Sequence, residues 1–136
     1  MKEWVLPTLA AVLCWGGWAF LPKFSTHSIR PSSAIVYQGL GGAIVALFVF
    51  LNLRDPLETH PEGSIIAVIA GILNFLGVLF YIKAVSKGPV AIVSTLSALY
   101  PLVVIALAVT VFHETLTTKQ TCGIVFALIS IALIAT

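Results

Sequence analysis

Charge is what this sequence has least of. Among its 136 residues only 9% are Asp, Glu, Lys or Arg, where a soluble domain devotes about a quarter of its residues to them. Seven cationic and five acidic side chains cannot furnish the polar skin that a water-soluble core of this size needs. Lipid must take the place of that skin. The net charge of +2 is small and scattered, which excludes a nucleic-acid footprint. Cysteine is scarce as well: Cys14 and Cys122 lie inside apolar segments with no CxxC or Cys/His spacing. That pattern offers no disulfide framework and no metal site, and it predicts buried, inert thiols. No nucleophile, base and oxyanion donor can be assembled, so an enzyme is not expected, nor is a cofactor.

What the chain does have is apolar length, with 60% of its residues hydrophobic. Five windows are free of charge, running Trp4 to Pro22, Pro31 to Leu53, Gly63 to Ile82, Gly88 to His113 and Gln120 to Thr136. Each approaches the ~20 residues that a hydrocarbon core requires. They are continuously apolar rather than alternating, which excludes a barrel and predicts an all-α integral membrane protein. Helices are expected over about 4–21, 32–53, 64–85, 89–112 and 119–135 as one domain, residues 1–136. The first run is too long for a signal-peptide core and ends in bulky Trp18, Phe20 and Leu21, so it reads as a span. The polar stretch Arg54 to Glu62, with Pro56 and Pro61, breaks the chain between the second and third helices. Gly88 and Pro89 make a second break, Gly ending one helix and Pro opening the next.

Lys and Arg punctuate the edges, where they can reach headgroups. Five crossings put Lys2, Arg54 and Lys119 on one side, and Lys23, Arg30, Lys83 and Lys87 on the other. The difference, four minus three, is one. Orientation is weakly specified by such a count, and a chain inserted both ways can pair with an inverted copy of itself.

The run from Tyr81 to Ser94 (YIKAVSKGPVAIVS), followed by Leu99-Tyr100-Pro101, by His113-Glu114-Thr115-Leu116-Thr117, and by Gln120 and Gly123, resembles an EamA-type domain of the drug/metabolite transporter superfamily. The resemblance is most specific over residues 81 to 136, and the neighbourhoods of Trp15-Gly16 and Pro22-Lys23 are compatible with it. It implies one five-helix half unit. Members of that superfamily mostly join two such units in inverted topology around a central cavity, which implies a second copy or a related five-helix partner here. Gly88, Pro89, Pro101, Glu114 and Thr117 match the family pattern, while His113 stands where that pattern usually has Gly. Related small multidrug resistance proteins carry a membrane-embedded Glu in their first helix, and this first helix has no acid after Glu3. Proton-coupled cation antiport is accordingly not expected.

Polar and aromatic side chains at membrane depth are the search space for a transport site, because each is costly unless it faces protein or water. Asn74, Gly77 and Tyr81 recur at helical spacing and predict an inward face on the third helix. Ser94, Ser97 and Pro101 do so on the fourth, beside Thr95 and Tyr100, and Pro101 withholds a donor from the carbonyl near Ser97. A kinked or opened helix is expected there, either lining a cavity or serving packing alone. Trp15, Trp18, Tyr37 and Gln38 complete the cavity candidates, the aromatics suited to stacking or cation–π contact or else to packing and anchoring. Lys83 either snorkels or turns inward to favour an anionic or zwitterionic substrate. Glu114 is a weaker candidate for ion coupling, and its helix-end position also suits an interfacial residue. Gly39, Gly41, Gly42 and Ala46, and Gly123 with Ala127, are expected to let helices approach closely, the fifth helix at an oligomer contact.

The leading reading is a transporter or half-transporter subunit that moves a small organic metabolite by alternating access, as a dimer, in a cell membrane (the bacterial inner membrane if the source is prokaryotic). An accessory membrane protein without transport activity, or a subunit of a lipid-linked sugar flippase, are the alternatives.

Overall fold

In a computed structural model residues 4–135 are described, and all of their regular structure is helical: α1 (Val5–Ser28), α2 (Pro31–Leu51), α3 (Pro61–Lys87), α4 (Val90–Ser97), α5 (Tyr100–Val111) and α6 (Thr118–Ala135). Lys2, counted in the charge balance above, lies outside those residues, as do Glu3 and Thr136. The segments α4 and α5 divide a single apolar run, Val90–Val111, so the six segments make five apolar stretches. Four of these are long enough to cross a membrane and the fifth, Thr118–Leu133, is shorter. Internal contacts divide the chain into two units, Met1–Lys87 and Gly88–Thr136.

In the first unit α3 packs against both α1 and α2. The few buried side chains, Pro22, Ala34, Tyr81, Ile82 and Val85, all lie toward the C-terminal end of α1 or α3 or the N-terminal end of α2. Those three ends meet because the α1–α2 connection is short and α3 returns antiparallel to α2. Pro31 opens α2 in its first turn, where no backbone N–H is required. Farther along, residues 41 to 70 are all exposed, and the apolar faces they carry are suited to lipid or another helix.

The first helix runs past the expected end at Leu21, through Pro22 and Lys23, to Ser28. Pro22 has no N–H for the Trp18 carbonyl, yet the helix continues through it, and two side chains bond its own carbonyl one turn on. Thr26 Oγ1 donates to the Pro22 carbonyl at 2.8 Å and Ser25 Oγ to the same oxygen at 3.1 Å. Lys23 is therefore a helix residue and not a loop residue. It is half-buried and its Nζ donates to the Val85 carbonyl at 3.0 Å, satisfying an acceptor in the last turn of α3, where positive charge is favoured. Cys14 and Cys122 are exposed on the isolated chain rather than buried; so little of either unit is internal that a thiol on an apolar helix meets its surface.

In the second unit α4 packs on α6. The expected irregularity falls at Ala98–Leu99, where α4 ends before α5 restarts. Pro101 cannot donate to the Ser97 carbonyl and its ring crowds that oxygen. The chain tightens instead: Ala98 N–H reaches the Ser94 and Thr95 carbonyls, and Leu99 N–H the Leu96 carbonyl at 3.1 Å. Thr117 and Gln120 open α6 with a reciprocal capping pair. Gln120 N–H donates to Thr117 Oγ1 at 3.4 Å, and Gln120 Oε1 accepts from the Thr117 backbone and hydroxyl, each at 2.8 Å.

The end of α5 explains the departure at position 113. His113 has φ 53°, and the following Glu114 N–H bonds to the Ala108 carbonyl at 3.2 Å. A left-handed residue just past a helix is the place for glycine, which has no Cβ to oppose it. Replacing His113 with Gly should thus raise stability by about 0.5–1 kcal/mol. A lower melting temperature for the detergent-purified variant would contradict this cap.

Candidate functional site

Three sequence candidates from three helices converge in the first unit. Trp18 of α1 donates its Nε1–H to Gln38 Oε1 of α2 at 3.2 Å, and its ring lies 5.1 Å from that of Tyr81 of α3, tilted by 30°. Tyr81 O–H in turn donates to the Ala19 carbonyl at 2.7 Å. The Trp18 N–H, the Gln38 carbonyl and the Tyr81 hydroxyl thus each have an internal mate, as polar groups within apolar spans require. Tyr81 is only 8% exposed.

Beside this cluster, the C-terminal half of α1 and the N-terminal part of α2 border an open recess of about 280 Å³. Trp18, Tyr37 and Gln38 form its polar and aromatic wall, and Leu21, Pro22 and Ile29 its apolar one. It has the composition of a small-molecule site, mostly apolar with a few convergent polar groups. Its size falls just under the roughly 300–1,000 Å³ usual for such pockets. Ser25 also lines it, with the hydroxyl hydrogen already given to Pro22. A second hollow, between α2 and α3, is walled by Ile35, Ile72, Phe75 and Leu79 and has no comparable polar group.

The remaining candidates lie elsewhere. Trp15 is exposed, and so are Asn74 and Gly77, although they share a helical face with Trp18 or Tyr81. The reason is depth: the helices meet only toward the end that holds Tyr81, so one stripe is covered at one end and open at the other. Lys83 is exposed, with Nζ 5.9 Å from the Phe80 ring centroid, and does not join the cluster. In the second unit Ser94 and Ser97 donate back to the Val90 and Val93 carbonyls, at 2.7 and 2.8 Å. Tyr100 and Pro101 are exposed in the first turn of α5, and Glu114 is exposed beyond its end. Among the described residues no group of His, Cys, Asp and Glu is placed to hold a metal ion.

Lys23, Pro22 and Ser25 escaped the sequence reading because the first span was ended at its first charge. A lysine that can reach a neighbouring helix's terminal carbonyl need not end a span, and nothing in the sequence announced that carbonyl.

Long apolar helices that bury almost nothing, with a small aromatic and amide cluster at the end where three of them meet, define a multi-pass integral membrane protein. The chain belongs to the EamA-like transporter family, whose model matches residues 2–136. It is similar, at 33% identity over 131 residues, to an uncharacterised protein of Methanocaldococcus jannaschii, with 96% of this chain and 94% of that one covered. No solved structure matches it.

Proposed function

We propose that this chain is a transporter subunit that carries a small organic metabolite across a cell membrane by alternating access, working as a pair of five-helix units and not as an enzyme. The observation that carries this reading is the Trp18–Gln38–Tyr81 cluster beside an open recess within the apolar spans. A purely structural role would call for neither an organised amide nor an aromatic wall around an unfilled space. Family membership supports the general activity. Pairing is supported by the exposed apolar surface of α6, where nothing lies within 4 Å of a Cβ placed on Gly123, a surface that a second helix could approach closely.

Reconstitution of the purified chain into liposomes, with uptake measured across amino acids, organic acids, sugars and cations, tests the transport reading. Saturable flux of at least one solute is expected, and none at all would favour an accessory role. Replacing Gly123 with Leu should reduce crosslinking between copies in membranes by about tenfold, the effect of losing ~1.4 kcal/mol of close helix packing. Undiminished crosslinking would move the contact off α6.

A further inference from the structure

The polar groups of the recess have a definite sense. A tryptophan N–H can only donate, so the Gln38 atom facing Trp18 must be the carbonyl oxygen. Gln38 Nε2 is thereby turned away from Trp18, and its two hydrogens have no other partner among the described residues. Tyr37, exposed on the same wall, has a hydroxyl hydrogen to give, whereas that of Ser25 is spent on the Pro22 carbonyl. No carboxylate lines the space. The surplus is of donors.

Charge in the first unit is distributed in the same sense. The end where α1 and α3 finish and α2 begins carries Lys23, Arg30, Lys83 and Lys87, while on or beside the connection at the opposite end Asp55, Glu58 and Glu62 outnumber Arg54. Lys23 sits in sequence between Pro22 and Ser25, both of them recess residues. Aromatic rings alone would welcome a cation, but a cation here would meet like charge in a medium of low dielectric and find no carboxylate to balance it.

From these two observations we infer that the recess binds a small carboxylate with a flat apolar body, the carboxylate accepting hydrogen bonds from Gln38 Nε2 and the body lying against Trp18 and Tyr37. The inference rests on the transport reading only in treating the recess as a substrate site. It names the substrate class as organic anion, and it transfers to Gln38 and the Lys23 end of the unit the selectivity that Lys83, facing outward, cannot supply.

Three probes of one shape and different head groups decide it: benzoate, benzamide and benzylammonium, titrated by calorimetry into the full chain in phosphatidylcholine nanodiscs, with empty nanodiscs as the partition control. Benzoate should bind saturably and at least about tenfold more tightly than benzylammonium. Q38L should weaken benzoate about tenfold, as loss of a hydrogen bond to a charged group does. Q38E keeps an acceptor for Trp18 and should reverse the preference toward benzylammonium, so it decides the matter even if Q38L fails to fold. Absence of saturable benzoate binding, equal binding of the cation, or a Q38E variant that still prefers benzoate would overturn the inference. Flux of some other solute without benzoate binding would overturn this assignment alone, whereas benzoate binding without flux of any solute would overturn transport and leave the site.

Discussion

Truncating Tyr81 to alanine should strongly destabilise the first unit. The ring is stacked on Trp18, the hydroxyl is bonded to α1, and the residue belongs to a very small buried set. In lipid the transfer of the ring from water contributes little, because the alternative environment is itself apolar. What is lost is packing against Trp18 and its neighbours, together with the hydroxyl bond, a total of about 2–4 kcal/mol. Tyr81→Phe keeps the ring and should cost only about 0.5–2 kcal/mol. Reversible unfolding in mixed micelles would measure both. A phenylalanine variant as unstable as the alanine one would mean that the hydroxyl bond, and not ring packing, joins α1 to α3.

A comparable loss is expected from Gly39→Leu. A Cβ at Gly39 would lie 3.6 Å from Cε1 of Phe75, and one at Gly42 the same distance from its Cζ. One added carbon thus makes an ordinary contact, while a full isobutyl group must displace the Phe75 ring or push α2 from α3. Overpacking of that kind costs about 1–3 kcal/mol. Gly39→Ala should instead be neutral or stabilising by up to about 1 kcal/mol, since alanine is the better helix former. The pair separates crowding from backbone effects in the same unfolding assay. If the leucine variant matched wild type, the α2–α3 contact at Phe75 would not be a tight one.

Much of this architecture was legible in the residues, because hydrocarbon thickness and the cost of charge set the length and edges of each span. The turn at Arg54–Glu62 and the Gly88-Pro89 break follow from proline and glycine chemistry, and so does the irregularity ahead of Pro101. The site was legible only as stripes. Helical spacing aligned Trp15 with Trp18, and Asn74 with Tyr81, but spacing gives the direction around a helix and not the depth at which a neighbour arrives. That is why Trp18 and Tyr81 are covered and Trp15 and Asn74 are not. The same limit hid the contact of Lys23, whose Nζ reaches a carbonyl some sixty positions away in the sequence (Lys23 to Val85).

The convergence of α1, α2 and α3 toward one end also has a mechanical side. From Trp18 back to Val5 the first helix projects about 20 Å at 1.5 Å per residue, and little of that length is buried. A tilt of about 10° at the Trp18–Gln38–Tyr81 junction moves the far tip by about 3.5 Å, from the same rise per residue, while the atoms at the junction scarcely shift. The cluster is in that sense a rivet near one end of three levers. Small rearrangements at the junction would be magnified at the far ends of the helices.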